Sequence, residues 1–164
     1  MEYMVRPYQS GEEEYVADLH RRLYSEEYGW GPAFIDYAVE IPRQFARKER
    51  DPREEMYVAE KDGRPVGSIM LCVTDDPDVA QLRVFAVEKK FRRRGIGEAL
   101  LQAALEKAGS GRFRKVILWT ADAVTDALHK YEKTGFRYME SVENLSWRPD
   151  GKAVYEIKME KDLE

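Results

Sequence analysis

Apolar residues along the chain recur with two periods, and the switches between them mark out its elements. Tyr3 to Tyr8 reads as a short first strand halted by Pro7. Ser10-Gly11-Glu12-Glu13 fits a capping box, with Ser10 as N-cap and Glu13 three residues later. The helix it opens carries Tyr15, Val16, Leu19 and Leu23 on one face, with His20 and Tyr24 at the edge. Tyr28-Gly29-Trp30-Gly31-Pro32 breaks that helix. Pro32 suits the first turn of a second helix, in which Phe34, Ala38, Ile41 and Phe45 share a face and Pro42 predicts a kink or a break.

Met56 to Glu60 and Pro65 to Val73 alternate as strands, joined at Lys61-Asp62-Gly63-Arg64 by a tight hairpin. An acidic loop, Thr74 to Val79, follows. Gln81 to Val87 reads as a mostly buried strand, Glu88 to Arg94 as a basic connection. Ile96, Leu100, Leu101, Ala104, Leu105 and Ala108 then fall on one helix face, with Gly109 placed to cap it. Lys115 to Thr120 is a strand, and Asp122 to Lys133 a helix ending at Gly135. Phe136 to Leu145 and Ala153 to Met159 alternate as strands around Pro149-Asp150-Gly151. The order β-α-α-β-β-β-α-β-α-β-β implies an α/β fold with a mixed sheet and helices on both faces, since a strand–helix–strand crossover makes its flanking strands parallel.

Composition narrows the classes. At 164 residues with 43% hydrophobic and 12% aromatic content, the chain reads as a single packed domain spanning 1–164. Its net charge of −4 argues against nucleic acid, because the positive charge is local and not spread over a face. The lone cysteine, Cys72, lies in an apolar run and reads as a buried thiol. Neither a membrane-spanning run nor a signal-peptide pattern is visible, so a cytoplasmic setting is expected.

The informative join is Arg92-Arg93-Arg94-Gly95-Ile96-Gly97, between the buried strand and the helix. Two glycines let backbone amides approach a ligand, and the free N–H groups of a helix's first turn attract anions. A dinucleotide fingerprint would need glycine where Leu100 stands, and a P-loop would need Gly-Lys-Ser/Thr. A solvated basic turn is the plainer alternative. Arg92-x-x-Gly95-x-Gly97 after this strand resembles the pyrophosphate loop of the GCN5-related N-acetyltransferases (GNAT). Leu128-His129-Lys130-Tyr131-Glu132-Lys133-Thr134-Gly135-Phe136 is similar to that family's second signature. Leu19-His20, Leu23-Tyr24, Glu27-Tyr28-Gly29-Trp30, Phe34, Ala80-Gln81-Leu82-Arg83 and Leu118-Trp119-Thr120 further resemble the acetyltransferase half of bacterial proteins that fuse a MarR-type winged helix to such a domain. This chain begins at the catalytic half, so a regulatory role is expected to need a separate partner.

The resemblance implies a GNAT-like, strongly twisted mixed sheet and acetyl-CoA as co-substrate, with no metal. It puts the pantetheine arm on backbone groups of Phe85, Ala86 and Val87. The pyrophosphate would lie on amides of Arg93, Arg94, Gly95, Ile96, Gly97 and Glu98, with Arg92 adding charge. Tyr131 becomes the general acid for the departing thiolate, its alternative role being a core aromatic. The family often has Asn at the position of Val124, which puts cofactor grip there in doubt. A base is harder to name: Gln81 stands where many relatives have Glu, leaving Glu27, His20, Asp75, Asp76 or a water relay. Tyr24, Glu27, Tyr28 and Trp30 would wall the acceptor side, or else only staple the two helices to the sheet. Arg83, unexpected in a buried strand, either pairs with a core acid or holds a substrate carboxylate. The expected activity is acetyl transfer to a primary amine of a small molecule or peptide, and a homodimer is compatible with it. The competing reading is a CoA-binding or sensing module without turnover.

Overall fold

The two periods resolve into one seven-stranded mixed sheet in a computed structural model that describes residues 2–163. Its strands are β1 (Met4–Pro7), β2 (Glu55–Lys61), β3 (Arg64–Val73), β4 (Val79–Val87), β5 (Lys115–Ala121), β6 (Arg137–Asn144) and β7 (Val154–Asp162). The helices are α1 (Glu13–Arg22), α2 (Pro32–Arg47), α3 (Ile96–Ser110) and α4 (Thr125–Lys133). The strand order is β1-β2-β3-β4-β5-β7-β6, with β4–β5 parallel and the other neighbours antiparallel. That parallel pair follows from the α3 crossover between its strands. The expected element order and the helices on both faces are both present.

Alternation within β3 divides the core. Ile69 and Leu71 face α3, packing with Leu100, Leu101 and Ala104 and with Leu82, Val116 and Leu118 of neighbouring strands. Met70 points the other way and joins Met56, Val84, Val16 of α1 and Phe45 of α2. The hairpin at Asp62 and Gly63 has positive φ at both residues, +54° and +77°. Gly135 takes φ +101° at the end of α4, with the Phe136 N–H donating to the Tyr131 carbonyl (3.0 Å).

Four local expectations are corrected. The capping box at Ser10 does not form: the Glu13 carboxylate accepts from the Gly11 N–H (2.8 Å) and the Tyr8 hydroxyl (2.9 Å), and Arg6 on β1 draws Glu12 into a two-oxygen ion pair (2.8 and 2.7 Å). Glu12 also accepts from the Gln9 N–H, and α1 starts at Glu13 without a side-chain cap. Of the kink or break expected at Pro42, the break does not occur: α2 continues to Arg47, since Phe34, Ala38 and Phe45 bury its face on both sides of the proline. Gly109 lies inside α3, not past its end. Phe113, buried under Arg53, sets the stop, donating to the Ala108 carbonyl while Arg112 takes φ +62°. Finally, α4 starts at Thr125 and not at Asp122. Asp122 instead exchanges backbone and side-chain hydrogen bonds with Tyr155 and so extends the β5–β7 pairing.

Gly67 of β3 packs directly against the β4 backbone. A Cβ there would stand 2.9 Å from the Ala86 carbonyl oxygen and 3.3 Å from Leu100. Gly67→Ala should therefore destabilise the fold by about 1–3 kcal/mol through overpacking. A lowered urea midpoint at unchanged m-value is the expected reading.

Candidate functional site

The site begins where a ladder stops. β4 and β5 pair from Val79–Lys115 to Leu82–Leu118 and no further, although β4 continues along β3 to Val87. Just beyond, the β3–β4 register slips: Arg83 opposes Met70, and Ala86 opposes Ser68, leaving Val84 and Phe85 against Ile69 alone. Val84 has φ +45°, a costly conformation for a β-branched residue, and the Ser68 hydroxyl pins its carbonyl (2.8 Å). This bulge turns β4 away from β5. Phe85, Ala86 and Val87 thereby face an open edge without a β5 partner.

That edge leads to the basic loop. One tight turn, Lys89–Phe91, precedes Arg93 at φ +62° and Gly95 at φ +85°, the N-cap of α3. The Tyr3 hydroxyl, just before β1, donates to the Gly95 carbonyl (3.2 Å) and buttresses the loop. Ile96, Gly97 and Glu98 form the helix's first turn, whose N–H groups have no intrahelical acceptor. Arg93 and Arg94 are exposed beside them. Lys130 of α4 reaches across to Glu98 (2.6 Å) and lies 2.9 Å from where a Gly97 Cβ would be. Two exposed guanidinium groups, an ammonium and helix-terminal amides fit a diphosphate. Arg92 has a different setting: it donates to the Val87 carbonyl (2.9 Å) and forks onto both oxygens of Glu27 (2.9 Å each).

A cavity of about 450 Å³ lies beside the splayed strands. Tyr131 lines it from the last turn of α4, with Phe85 and Phe136 around its ring (centroids 6.0 and 5.7 Å). Burial, and then the nearby Tyr24, hold the Tyr131 phenol well above its ordinary range, so it carries its proton at neutral pH. Val124, at the N-cap of α4, lines the same cavity.

The opposite wall is aromatic. Past α1 the backbone widens into a π-helical turn, Leu23–Glu27, which carries Tyr24 and brings the chain back under Trp30. Trp30, 4% exposed, stacks on Tyr24 and Tyr28 (5.2 Å each) and meets Phe34 edge-on. Trp147, from the β6–β7 connection, closes the cluster against Trp30 and Phe34. A Cβ on Gly31 would stand 2.9 Å from the Pro149 ring, so only glycine lets that connection approach. Trp30 thus both staples the helices and lines the cavity, as do Tyr24 and Tyr28.

The expected residues separate here. Arg83 lines the cavity and donates to the Tyr37 hydroxyl (2.6 Å); it meets no core acid among the described residues. Glu27 does not line the cavity, being held on Arg92. Asp75 and Asp76 are exposed in the β3–β4 loop. His20, read as an edge residue, is fully buried; its Nδ1 donates to the Val16 carbonyl (2.8 Å), while Nε2 has no hydrogen-bond partner among the described residues. Sequence reading missed Trp147, Tyr37, Lys130 and Glu156, the last a cavity-lining carboxylate on β7. Only Lys130 had a local signal, its place inside the second signature. Cys72 is a half-buried thiol pushed up to about 11 by desolvation. Among the described residues no helix is long and apolar enough to cross a membrane, and no cluster of three or more His, Cys, Asp or Glu could hold a metal.

The sequence profile described as "Acetyltransferase (GNAT) family" matches residues 14–136. An N-acetylaspartate synthetase of Xenopus tropicalis is 32% identical over 96 residues, 58% of this chain and 35% of that protein. The chain therefore spans about a third of that relative's length. Among solved structures, a GNAT-family acetyltransferase from Streptococcus pneumoniae aligns with a TM-score of 0.79 at 23% identity, covering 99% of this chain and 100% of the other. One from Elizabethkingia anophelis with acetyl-CoA bound aligns with a TM-score of 0.69 at 22% identity, covering 98% of both.

The His20 environment predicts a pH effect. Desolvation pushes the imidazole from 6.5 down to about 4, against the opposing pull of the Val16 and Val84 carbonyls. Only the unfolded chain takes up that proton between the two values. The stability due to neutral His20 is thus fully present above 6.5 and lost as pH falls towards 4. Between pH 7 and pH 5 the loss should be about 2 kcal/mol. Urea midpoints at both values should show a smaller drop for His20→Gln than for the wild type.

Proposed function

The chain belongs to the acetyltransferase (GNAT) family, and on that premise we propose that it transfers an acetyl group from acetyl-CoA to a primary amine by direct attack. The observation that carries this is the β4–β5 splay, whose open edge runs from the amides of α3 to the Tyr131-lined cavity. A flexible, anionic thioester has its diphosphate end matched by Arg93, Arg94, Lys130 and the first turn of α3, and its arm matched by the free edge of Phe85, Ala86 and Val87. Acetyl-CoA supplies the activated acetyl group. The protein positions the amine, which attacks as its free base behind the aromatic wall. As the C–N bond forms and the C–S bond breaks, Tyr131 gives its proton to the leaving sulfur, and the proton shed by the nitrogen passes to solvent and restores the phenol. Burial keeps that phenol protonated, as a donor must be, while making it a weaker acid than a free phenol.

Arg92 enters this reading as a strut that ties the loop to the π-helical turn through Glu27. The motifs that resemble MarR-fused acetyltransferases support placing the chain near that branch of the family. The relative named N-acetylaspartate synthetase makes L-aspartate an acceptor to include in any panel.

Acetyl-CoA should raise the melting temperature, because a ligand that binds only the folded state stabilises it by mass action. Gly97→Val should abolish the rise while the fold persists. The added side chain displaces the flexible end of Lys130 and stands over the first-turn amides. Tyr131→Phe should keep the rise and lose roughly a hundredfold or more in thiol release over an amine panel. A wild-type protein that binds acetyl-CoA but releases no thiol with any amine would favour the sensing-module reading. An unchanged rise in Gly97→Val would remove the loop from the binding site.

A further inference from the structure

We propose that the acceptor is a small zwitterion, an amine that also bears a carboxylate beside an apolar side chain, held between Arg83 on β4 and Glu156 on β7; this rests on the acetyl-transfer reading above. Among the described residues lining the cavity, Arg83 is the one arginine or lysine and Glu156 the one carboxylate. They reach it from opposite sides of β5, since the strand order runs β4-β5-β7 and Glu156 pairs with Ala121 beyond the point where β4 leaves the ladder.

Each charged group is held by a neutral partner that leaves it donors or acceptors to spare. The Arg83 guanidinium donates to the Tyr37 hydroxyl and lies 5.9 Å from that ring, with no carboxylate against it among the described residues. A guanidinium fork oriented by a phenol matches a planar carboxylate with two parallel hydrogen bonds. Glu156 accepts from the Asn144 side-chain amide on one oxygen (3.1 Å), and its other oxygen has no protein partner among the described residues. An oriented carboxylate of this kind matches an ammonium. Trp30, Phe34 and Trp147 line the same cavity and offer apolar surface with no further charge. A polyamine would put a second ammonium against Arg83. An amine without a carboxylate would leave that guanidinium unanswered. The cavity, about 450 Å³, is of the size that takes a small molecule.

The test uses the full chain with acetyl-CoA, following thiol release with L-phenylalanine and L-methionine, their carboxamides, and spermidine. The free amino acids should exceed their carboxamides in kcat/KM by roughly tenfold or more, the scale of a hydrogen bond to a charged group. Arg83→Gln should bring that ratio to about one by raising KM for the free acids, and Arg83→Lys should restore part of it. Glu156→Gln should raise KM for acids and carboxamides alike. Calorimetric binding of the same amino acids to the CoA-loaded protein reads the clamp without turnover. Arg83-dependent binding with no thiol release would uphold the clamp and sink acetyl transfer; thiol release with other amines but no binding of the amino acids would do the reverse. Carboxamides or spermidine used as well as the free acids, or a ratio unchanged in Arg83→Gln, would overturn the proposal.

Discussion

The arrest of the β4–β5 ladder at Leu82 and Leu118 is the constraint on which the rest of the molecule depends. A parallel pair that continued to Val87 would satisfy the β4 backbone and close the sheet. The bulge at Val84 prevents that, and it is held by ordinary means. Ser68 occupies the Val84 carbonyl, Gly67 leaves room for Ala86, and the Val84 side chain is buried with Met70 and Phe45. Strain at one residue is thus offset by a hydrogen bond and a packed core. The freed backbone edge, the loop at the N-terminus of α3 and the cavity beside Tyr131 all follow from it.

A second consequence is that the two sides of the site are mechanically joined. The π-helical turn that carries Tyr24 towards the cavity also carries Glu27, and Glu27 grips Arg92 of the basic loop. Glu88, next to that loop, is held in turn by Arg22 of α1 (2.9 and 3.0 Å) and by the Tyr15 hydroxyl (2.8 Å). The helices that wall the cavity therefore set the position of the basic loop. Arginine at position 92 in a phosphate-loop motif reads as a phosphate ligand in isolation. In the folded protein its planar fork is matched by a carboxylate from a distant helix.

Burial gives the same neighbourhood its acid–base character. Tyr131 and Tyr24 stay protonated because charging them would desolvate a phenolate, and His20 stays neutral for the corresponding reason. The cavity thus carries little ionised charge of its own. Arg83 and Glu156 are the exceptions, each held by a neutral side chain, Tyr37 and Asn144 respectively.

Local patterning determined the elements of this protein. Alternation and helical spacing located the seven strands and four α-helices of the described residues, mostly because burial of one face imposes its period on the side chains, although β6 is exposed along nearly its whole length. Asp62-Gly63 and Gly135 marked turns, because positive φ is a property of single residues. The glycine loop and the helix with Tyr131 were legible for the same reason: their chemistry lies within one short stretch. Competition between distant groups was not legible. Glu12 chose Arg6 over its own helix, Phe113 moved the end of α3, and Glu27 chose Arg92 over the cavity. Trp147 and Glu156 entered the site from the far end of the chain, with no motif to announce them. Such partners are selected by which strands neighbour one another, and only the tertiary structure sets that order.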